Sequence, residues 1–254
     1  MLITVSLWLT VKNLCRRMLV KLRVKFSKHG VLKFIGHLDV MRYFQKAIRR
    51  AGIDISYSAG FSPHQIMSFA SPLGIGLESN GEYMDIEVNS LTSSREFMNA
   101  LNAQMAEGIK ILEVRLLPDN AGNAMASVAA AKYTVAFRDG YQPSFLSGQA
   151  VADFYAQKEI MVTKKTKKSE STFDMKPFIF ACCLDETNGS IILTVDASSA
   201  GNIKPALVIK ALYDYNHQEL DEFGLLITRE ETYLNAGTPE DVRLEPLGFA
   251  GSDY

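Results

Sequence analysis

Three histidines near the start of the chain are the side chains best suited to acid–base chemistry. His29 follows a lysine in a predicted turn, His37 begins a predicted helix, and His64 follows a proline in a loop. Two imidazoles close together could act as acid and base on an RNA 2′-hydroxyl, which contributes a factor of about 10²–10⁴ in rate. His37 lies on the apolar side of its helix, where we expect it to cap the first turn. His29 and His64 are therefore the catalytic candidates.

A metal site built from these residues is disfavoured by their spacing. His37, Asp39 and His64 could meet at a cation, but their spacing matches no usual ligand pattern. The three cysteines, Cys15, Cys182 and Cys183, form no CxxC pair and no cluster-binding motif. We therefore predict no metal and no cofactor. A sparse, odd cysteine count also argues against a disulfide framework and for a reducing cytoplasm.

A second group of residues suits binding to a polyanion. The predicted helix has an apolar arc, formed by Leu38, Met41, Phe44, Ile48 and Ala51. Cations recur on a neighbouring arc, with a tyrosine beside them. The cations and this tyrosine are Arg42, Tyr43, Lys46, Arg49 and Arg50. Such an arc can contact a phosphate backbone, although three or four contacts give only weak affinity. The alternative is a solvated helix face on which Asp39 pairs with Arg42.

The loop after this helix contains aromatic side chains that could be exposed to solvent, and the glycines that follow could leave the backbone accessible to a ligand. Tyr57, Phe61 and His64 lie among glycines and a proline, so their rings could stack on bases, at about 1–3 kcal/mol per base. The alternative places Phe61 in the core, the commoner fate of a phenylalanine. Gly74 and Gly76 could offer backbone contacts to an anion or form a plain turn. No Lys-Ser/Thr follows them, so the segment is not a P-loop.

A lysine-rich tip in the second half is a further phosphate-binding candidate. Its cations are Lys164, Lys165, Lys167 and Lys168. Such tips bind phosphates, and they also keep strand edges soluble. Both interpretations stay open.

The elements that must position these residues recur in one order. We predict a first strand over residues 19–26, whose alternating Lys21, Arg23 and Lys25 form one wet, basic face, followed by a short extended piece over 31–35. Further strands are predicted over 53–57, 82–88 and 109–116, with an extended piece over 67–70 and helices over 37–51 and 92–105. This is the β-α-β-β-α-β order of a split ferredoxin-like unit. We predict a similar order over 133–234, with a hairpin at Asn188-Gly189. The expected fold is α+β, with two tandem ferredoxin-like units, the second one elaborated.

The same patterns predict five segments. Residues 1–17 are expected to be an upstream extension, with Met18 as the natural start. Residues 18–118 form the first unit, 119–131 a linker, 132–234 the second unit, and 235–254 an acidic, flexible tail. The apolar run over 1–11 is too short to span a bilayer, and it lacks the flanks of a signal peptide. We therefore predict no association with a membrane.

The chain has an ordinary globular composition, but its charged residues are distributed unevenly along the sequence. The chain has 254 residues, 47% hydrophobic and 22% charged, with a net charge of −1. Residues 18–77 carry a net charge of +7 and residues 214–254 a net charge of −8. Such a dipole can steer an anionic partner toward one end. The alternative is an ordinary patchy surface.

Residues 18–234 resemble a known family, most strongly over residues 26–88. The segments FSKHGVLKFIGHLDVMRYFQKAIRRAGI and SYSAGFSPHQIMSFASPLGIGLES are similar to the signature of the radical-SAM-linked domain of unknown function. Its members are small free-standing proteins, or are fused to or encoded beside radical SAM proteins. The resemblance implies a radical SAM partner, and it supplies no agreed catalytic residue. A looser fold-level likeness is to the CRISPR repeat-RNA-processing endonucleases.

Three functions follow as hypotheses. The leading one is a non-catalytic RNA- or nucleotide-binding adaptor that works with a radical SAM protein. The second is a metal-independent RNA endonuclease using His29 or His64. The third is a protein-only interaction module that uses the acidic tail as its contact.

Overall fold

The computed structural model describes residues 19–165 and 170–254. It has a mixed α/β architecture built on one large, mostly antiparallel sheet with few helices. The expected upstream extension and start, residues 1–18, lie outside the described residues, as do Lys167 and Lys168. Within the described ranges, no helix combines the length and apolar character needed to cross a membrane.

The elements follow one another along the chain in two halves. The first half contains β1 (Val20–Lys28), α1 (His37–Arg50), β2 (Met67–Phe69), β3 (Glu78–Val88), α2 (Ser94–Asn102) and β4 (Ile109–Leu116). The second half contains α3 (Ala124–Ser127), β5 (Ala130–Phe137), α4 (Gly148–Ala156), β6 (Met161–Lys165), β7 (Glu170–Asp174), β8 (Ile179–Asp185), β9 (Ser190–Asp196), α5 (Pro205–Tyr215), β10 (Leu225–Asn235) and β11 (Leu244–Pro246). Short 3-10 helices span Gly30–Phe34, Lys176–Phe178, Glu222–Gly224 and Leu247–Ala250.

The large sheet runs through both halves in the order β4-β1-β3-β10-β5-β9-β8. Strand β2 adds to β3, and β11 adds to β10. The halves join where β3 and β10 pair in parallel, with Thr228 opposite Glu78 and Arg229 opposite Ser79. The other described pairs in this sheet are antiparallel. Strands β6 and β7 form a separate hairpin, so the lysine tip lies off the main sheet.

Each half buries its own apolar core. Helices α1 and α2 pack on β1, β3 and β4, while α4 and α5 pack on the second-half strands. Helix α1 buries Val40, Phe44, Ala47 and Ile48, whose spacing of three and four residues places them on one face. The predicted apolar arc of α1 is thus largely correct, although Leu38 is exposed.

Two local predictions differ from the structure. Residues 31–35, predicted to be extended, lie mostly in the 3-10 helix Gly30–Phe34, which buries none of its side chains. Residues 53–57, predicted to be a strand, make only isolated bridges, from Ile55 to Val88 and from Tyr57 to Gln65. Short apolar runs carry too little periodicity to separate these conformations.

The C-terminal segment corrects the prediction of a flexible tail. Strand β11 pairs with β10, and Ser252 bridges to Leu116 at the end of β4. Leu247 is completely buried, against Tyr83 and Ala124. Its acidic composition predicted a solvated segment, but a few apolar and backbone contacts are sufficient to attach it to the sheet.

Candidate nucleic-acid interface

Helix α1 presents its cations on the side opposite the core. Its first residue follows Gly36, and Gly52, at a φ of +68°, adopts the left-handed conformation that ends the helix. Because one face is buried, the predicted cations project to solvent. Those exposed cations are Arg42, Lys46, Arg49 and Arg50.

The cations of α1 are only weakly neutralised by the protein itself. Arg42 Nη1 lies 3.5 Å from Asp39 Oδ1, in a pair whose side chains are both more than 60% exposed. Such surface pairs contribute about 0–1 kcal/mol. Arg50 donates to the backbone oxygen of Gln104 at 3.0 Å. Among the described residues, Lys46 and Arg49 make no ion pair, so their charge is available to an anion.

Tyr43 differs from the other predicted contacts on α1. Its hydroxyl accepts a hydrogen bond from the Ala106 amide and approaches the Met105 sulfur at 3.9 Å. Its half-buried ring packs edge-on against Phe44, with the centroids 5.9 Å apart. Tyr43 therefore attaches α1 to the segment after α2, and its hydroxyl is already engaged within the fold.

The loop after α1 folds into a small hairpin beside it. We call residues 57–65 the ring hairpin. The Ser58 amide donates to the His64 oxygen at 2.9 Å, and Gly60, at a φ of +107°, allows the turn. Phe61 is fully exposed and Tyr57 is half exposed, which is the outward arrangement that stacking requires.

Gln65 fixes the ring hairpin to α1. Its buried amide nitrogen donates to the Gln45 backbone oxygen at 3.2 Å and approaches the Tyr57 hydroxyl at 3.5 Å. Gln45 immediately precedes Lys46 in α1. One buried amide therefore places the base of the ring hairpin next to the exposed cations.

His29 lies in a different environment from the one expected of a catalytic base. Its Nδ1 lies 3.0 Å from Glu78 Oε2, and its Nε2 lies 2.9 Å from Asn80 Oδ1. The Asn80 amide nitrogen donates to Glu230 at 2.8 Å, which turns the amide oxygen toward the ring. Each ring nitrogen of His29 is therefore engaged by a side chain of the fold. A catalytic base needs a free ring nitrogen, and these two contacts occupy both nitrogens of His29.

The two glycines of the predicted anion contact form a turn. Gly76, at a φ of +88°, donates its amide to the Lys33 oxygen at 2.9 Å. The Leu77 amide faces the Gly74 oxygen at 3.4 Å. The Gly76 amide is therefore bonded within the protein, which favours the plain turn at this residue.

The lysine tip contributes less to the described surface. Lys164 and Lys165 are the last two residues of β6, and the other two lysines lie outside the described residues. No group of three or more His, Cys, Asp or Glu side chains in residues 19–165 and 170–254 is arranged to hold a metal ion. The His37 ring packs edge-on against Phe69, with the centroids 5.1 Å apart.

The alternating cations of β1 were expected to form a wet basic face, and the structure corrects this. Arg23 is buried and donates to both oxygens of Asp85, at 2.8 and 2.9 Å. Lys25 pairs with Glu231 on β10. Lys21 lines a cavity next to the ring hairpin.

That cavity contains residues that sequence reasoning did not single out. It measures about 290 Å³ and includes His64 from the ring hairpin together with Lys21, Ser68, Glu87 and Asn123. Lys21 and Glu87 are direct cross-strand partners on β1 and β3. The polar face of the alternating strand pattern was the available signal, but it could not show which residues lie opposite each other.

Comparison with known proteins gives a family and no activity. Residues 21–205 match the model of DUF2344, described as an uncharacterized protein conserved in bacteria. The chain belongs to this family. No curated protein matches it. The assignment agrees with the expected domain of unknown function and carries no link to radical SAM proteins.

The DUF2344 match includes the whole candidate interface. Helix α1, the ring hairpin and the 290 Å³ cavity all lie between residues 21 and 205. Strands β10 and β11 lie beyond it. The partner strand of β3 at the join of the two halves therefore falls outside the matched range.

Proposed function

We propose that this protein is a non-catalytic RNA- or nucleotide-binding adaptor that works with a radical SAM protein. The observation that carries the proposal is the placement of the fully exposed Phe61 ring on a hairpin that Gln65 fixes beside the exposed cations Lys46 and Arg49. Cations track a phosphate backbone, and exposed rings stack on unpaired bases. This combination favours a single strand over a duplex.

The strand order supports a related inference about the fold. In the first half β4, β1, β3 and β2 are neighbours in that order, and in the second half β10, β5, β9 and β8 are. Each order is that of a split β-α-β-β-α-β unit with its helices on one face. We infer two tandem ferredoxin-like units that are joined into one sheet through β3 and β10.

One observation favours a second candidate function, a metal-independent RNA endonuclease. His64 Nδ1 lies 2.8 Å from Ser58 Oγ, while Nε2 makes no hydrogen bond within the described residues, and the side chain lines the polar cavity. A single histidine in this position can move a proton, but His29 is engaged elsewhere. Metal-free cleavage of bound RNA that is lost in His64→Ala would establish this alternative.

Salt dependence tests the phosphate contacts. Fluorescence anisotropy of a labelled single-stranded RNA, measured over a salt series, gives the slope of log K against log salt. Replacing Lys46 and Arg49 by alanine is expected to reduce the slope by about 0.7 for each phosphate that is no longer neutralised. The matched control replaces Lys158 and Lys204, two exposed lysines of the second half, and should leave the slope unchanged.

Removing the hairpin ring tests stacking separately. Phe61→Ala is expected to weaken binding by about 1–3 kcal/mol without changing the salt slope. Phe223, another exposed phenylalanine, is the matched control. Equal effects of the two alanine variants, or no RNA binding by the wild type, would remove the support for the RNA interface.

The partner is tested by co-purification from a bacterium that makes the protein. We expect a tagged chain to enrich a radical SAM protein, identified by mass spectrometry, over an unrelated tagged bait. Enrichment of other proteins alone would count against this part of the proposal while leaving the RNA interface intact.

A further inference from the structure

The 290 Å³ cavity beside the ring hairpin has the composition of a ligand pocket. Apolar walls come from Ile66, Ile86 and Leu117, and polar groups converge from β1, β3 and the segment before α3. Apolar walls with a few fixed polar groups are typical of small-molecule sites. A space of this size takes a single base with its sugar, and it is too small for two stacked nucleotides.

Two side chains of opposite charge in the cavity have no hydrogen-bond or ion-pair partner among the described residues. Lys21 and Glu87 face each other across β1 and β3. Through the described residues, neither side chain makes a hydrogen bond or an ion pair, although both are half buried. A half-buried ammonium and carboxylate that do not satisfy each other leave room for a ligand between or above them.

The other polar groups of the cavity are held in fixed orientations. Both Asp85 oxygens are occupied, because Arg23 donates to each of them and the Ala124 amide donates to Oδ2 at 2.8 Å. Asn123 Oδ1 accepts from the Met125 amide at 2.8 Å, which turns the Asn123 amide nitrogen away from that bond. This nitrogen points toward Ser68 Oγ at 3.4 Å, on the cavity wall.

We infer that this cavity receives one nucleotide whose base carries an exocyclic amino group. The Glu87 carboxylate accepts from the amino group, and the Asn123 amide donates to a neighbouring ring nitrogen or carbonyl oxygen. Lys21 and His64 lie where they can contact the phosphate or sugar. Uracil presents a carbonyl oxygen where cytosine presents the amino group. The Glu87 carboxylate would repel this oxygen, so uracil should bind less tightly than cytosine.

This inference rests on the proposed RNA-binding function and adds to it a pocket for one base. His64 belongs both to the ring hairpin and to the cavity lining. An RNA strand that is bound to α1 and stacked on Phe61 therefore reaches the mouth of the cavity at the C-terminal end of the ring hairpin. The nucleotide in the cavity is one that has been turned out of the stack, as single-strand readers commonly require.

The test compares fluorescein-labelled octacytidylate and octauridylate at pH 7.5 by anisotropy. Wild type is expected to bind octacytidylate about five to a hundred times more tightly, the discrimination of one good base contact. Glu87→Gln should bring the two affinities within about twofold, mainly by strengthening octauridylate binding, because glutamine can accept from the cytosine amino group and can also donate to the uracil carbonyl oxygen. Glu159→Gln, at an exposed glutamate of the second half, should keep the preference.

The outcomes separate the two proposals. If neither octamer binds, the RNA interface fails and the cavity inference fails with it. If both bind equally in wild type, or Glu87→Gln keeps the preference, only the base pocket is overturned. Thermal unfolding checks that the variant is folded. A crystal structure of wild type with octacytidylate gives an independent decision, since a base outside the cavity would overturn the inference without any variant.

Discussion

Arg229 Nη1 on β10 donates to Glu82 Oε1 on β3 at 2.9 Å, and this ion pair lies in the interior where the two halves of the sheet join. The side chains are only 6% and 7% exposed. Arg229 also donates to the Ser71 oxygen at 3.1 Å, and the Ser79 hydroxyl donates to Glu82 at 2.7 Å. Lys28 is buried nearby, and its pKa is lowered chiefly by that burial.

Breaking this pair is expected to be costly. Glu82→Gln leaves the Arg229 cation buried without its counter-charge, so we expect a loss of about 3–5 kcal/mol in the free energy of unfolding, measured by chemical denaturation. Asp214→Asn is the matched control, because it removes one member of the exposed pair between Lys210 and Asp214. A loss of less than about 1 kcal/mol is expected there. Similar losses in the two variants would contradict the assignment of a desolvated pair.

Close backbone contact at Gly81 gives a second prediction. A Cβ at this position would lie 2.5 Å from the Glu231 Cα and 2.8 Å from the Glu230 oxygen. Since neither is a movable side chain, Gly81→Ala should separate β3 from β10 and lower the thermal midpoint by several degrees. Gly74→Ala is the control, because its Cβ would meet only the Leu77 side chain, at 3.6 Å. Equal midpoints for both variants would show that the strands can adjust.

The Glu78 carboxylate gives a pH-dependent prediction. Its pKa is lowered, first by the hydrogen bond from His29 and further by Lys33, against an opposing effect of burial. Because the folded-state pKa is below the unfolded one, the stabilisation is complete above the unfolded pKa and is lost as the pH falls through the folded one. Glu78→Gln should therefore cost about 1 kcal/mol at neutral pH and progressively less in acid. Denaturation at several pH values measures this difference, and a pH-independent cost would contradict the mechanism.

The buried Leu247 tests the role of the C-terminal segment. Its side chain is completely buried, and its backbone oxygen accepts from Arg23 Nη1 at 3.0 Å. Leu247→Ala is expected to cost about 2–5 kcal/mol, because apolar surface is no longer buried and a cavity is left behind. Val242→Ala, at a residue that is 44% exposed, should change stability by less than about 0.5 kcal/mol. Full stability of the Leu247 variant in chemical denaturation would restore the prediction of a loose tail.

The vicinal cysteines should differ in reactivity. Cys183 is exposed, while Cys182 is buried, and burial followed by the neighbouring Cys183 raises the Cys182 pKa to about 12. Since the thiolate is the nucleophile, iodoacetamide at pH 8 should label the 182–183 peptide once. The Cys183→Ser variant should leave that peptide unlabelled in the native protein and label it after denaturation. Mass spectrometry of the digest measures both, and native labelling of the variant would contradict the assigned burial.

The sequence by itself determined helix α1, its cationic face and the glycine that ends it. These features depend on residues a few positions apart, and the 3.6-residue period places them on one side of a helix whatever it packs against. The sequence did not determine whether Phe61 is exposed, because a phenylalanine in a loop can either project into solvent or be buried in the core. The structure decided it through Gln65, which holds the hairpin against α1.

Only the tertiary structure determined which groups pair with the β1 cations and with His29. A period of two shows that one face of β1 is polar, but not what covers that face. Arg23 is covered by the Leu247 oxygen and by Asp85, and His29 by Glu78 and Asn80. These partners lie tens to hundreds of positions away along the chain, and the sheet brings them within hydrogen-bond distance. No local sequence pattern specifies these pairs. Their energy depends on the removal of water from the charged side chains, which happens only when folding brings the distant partners together.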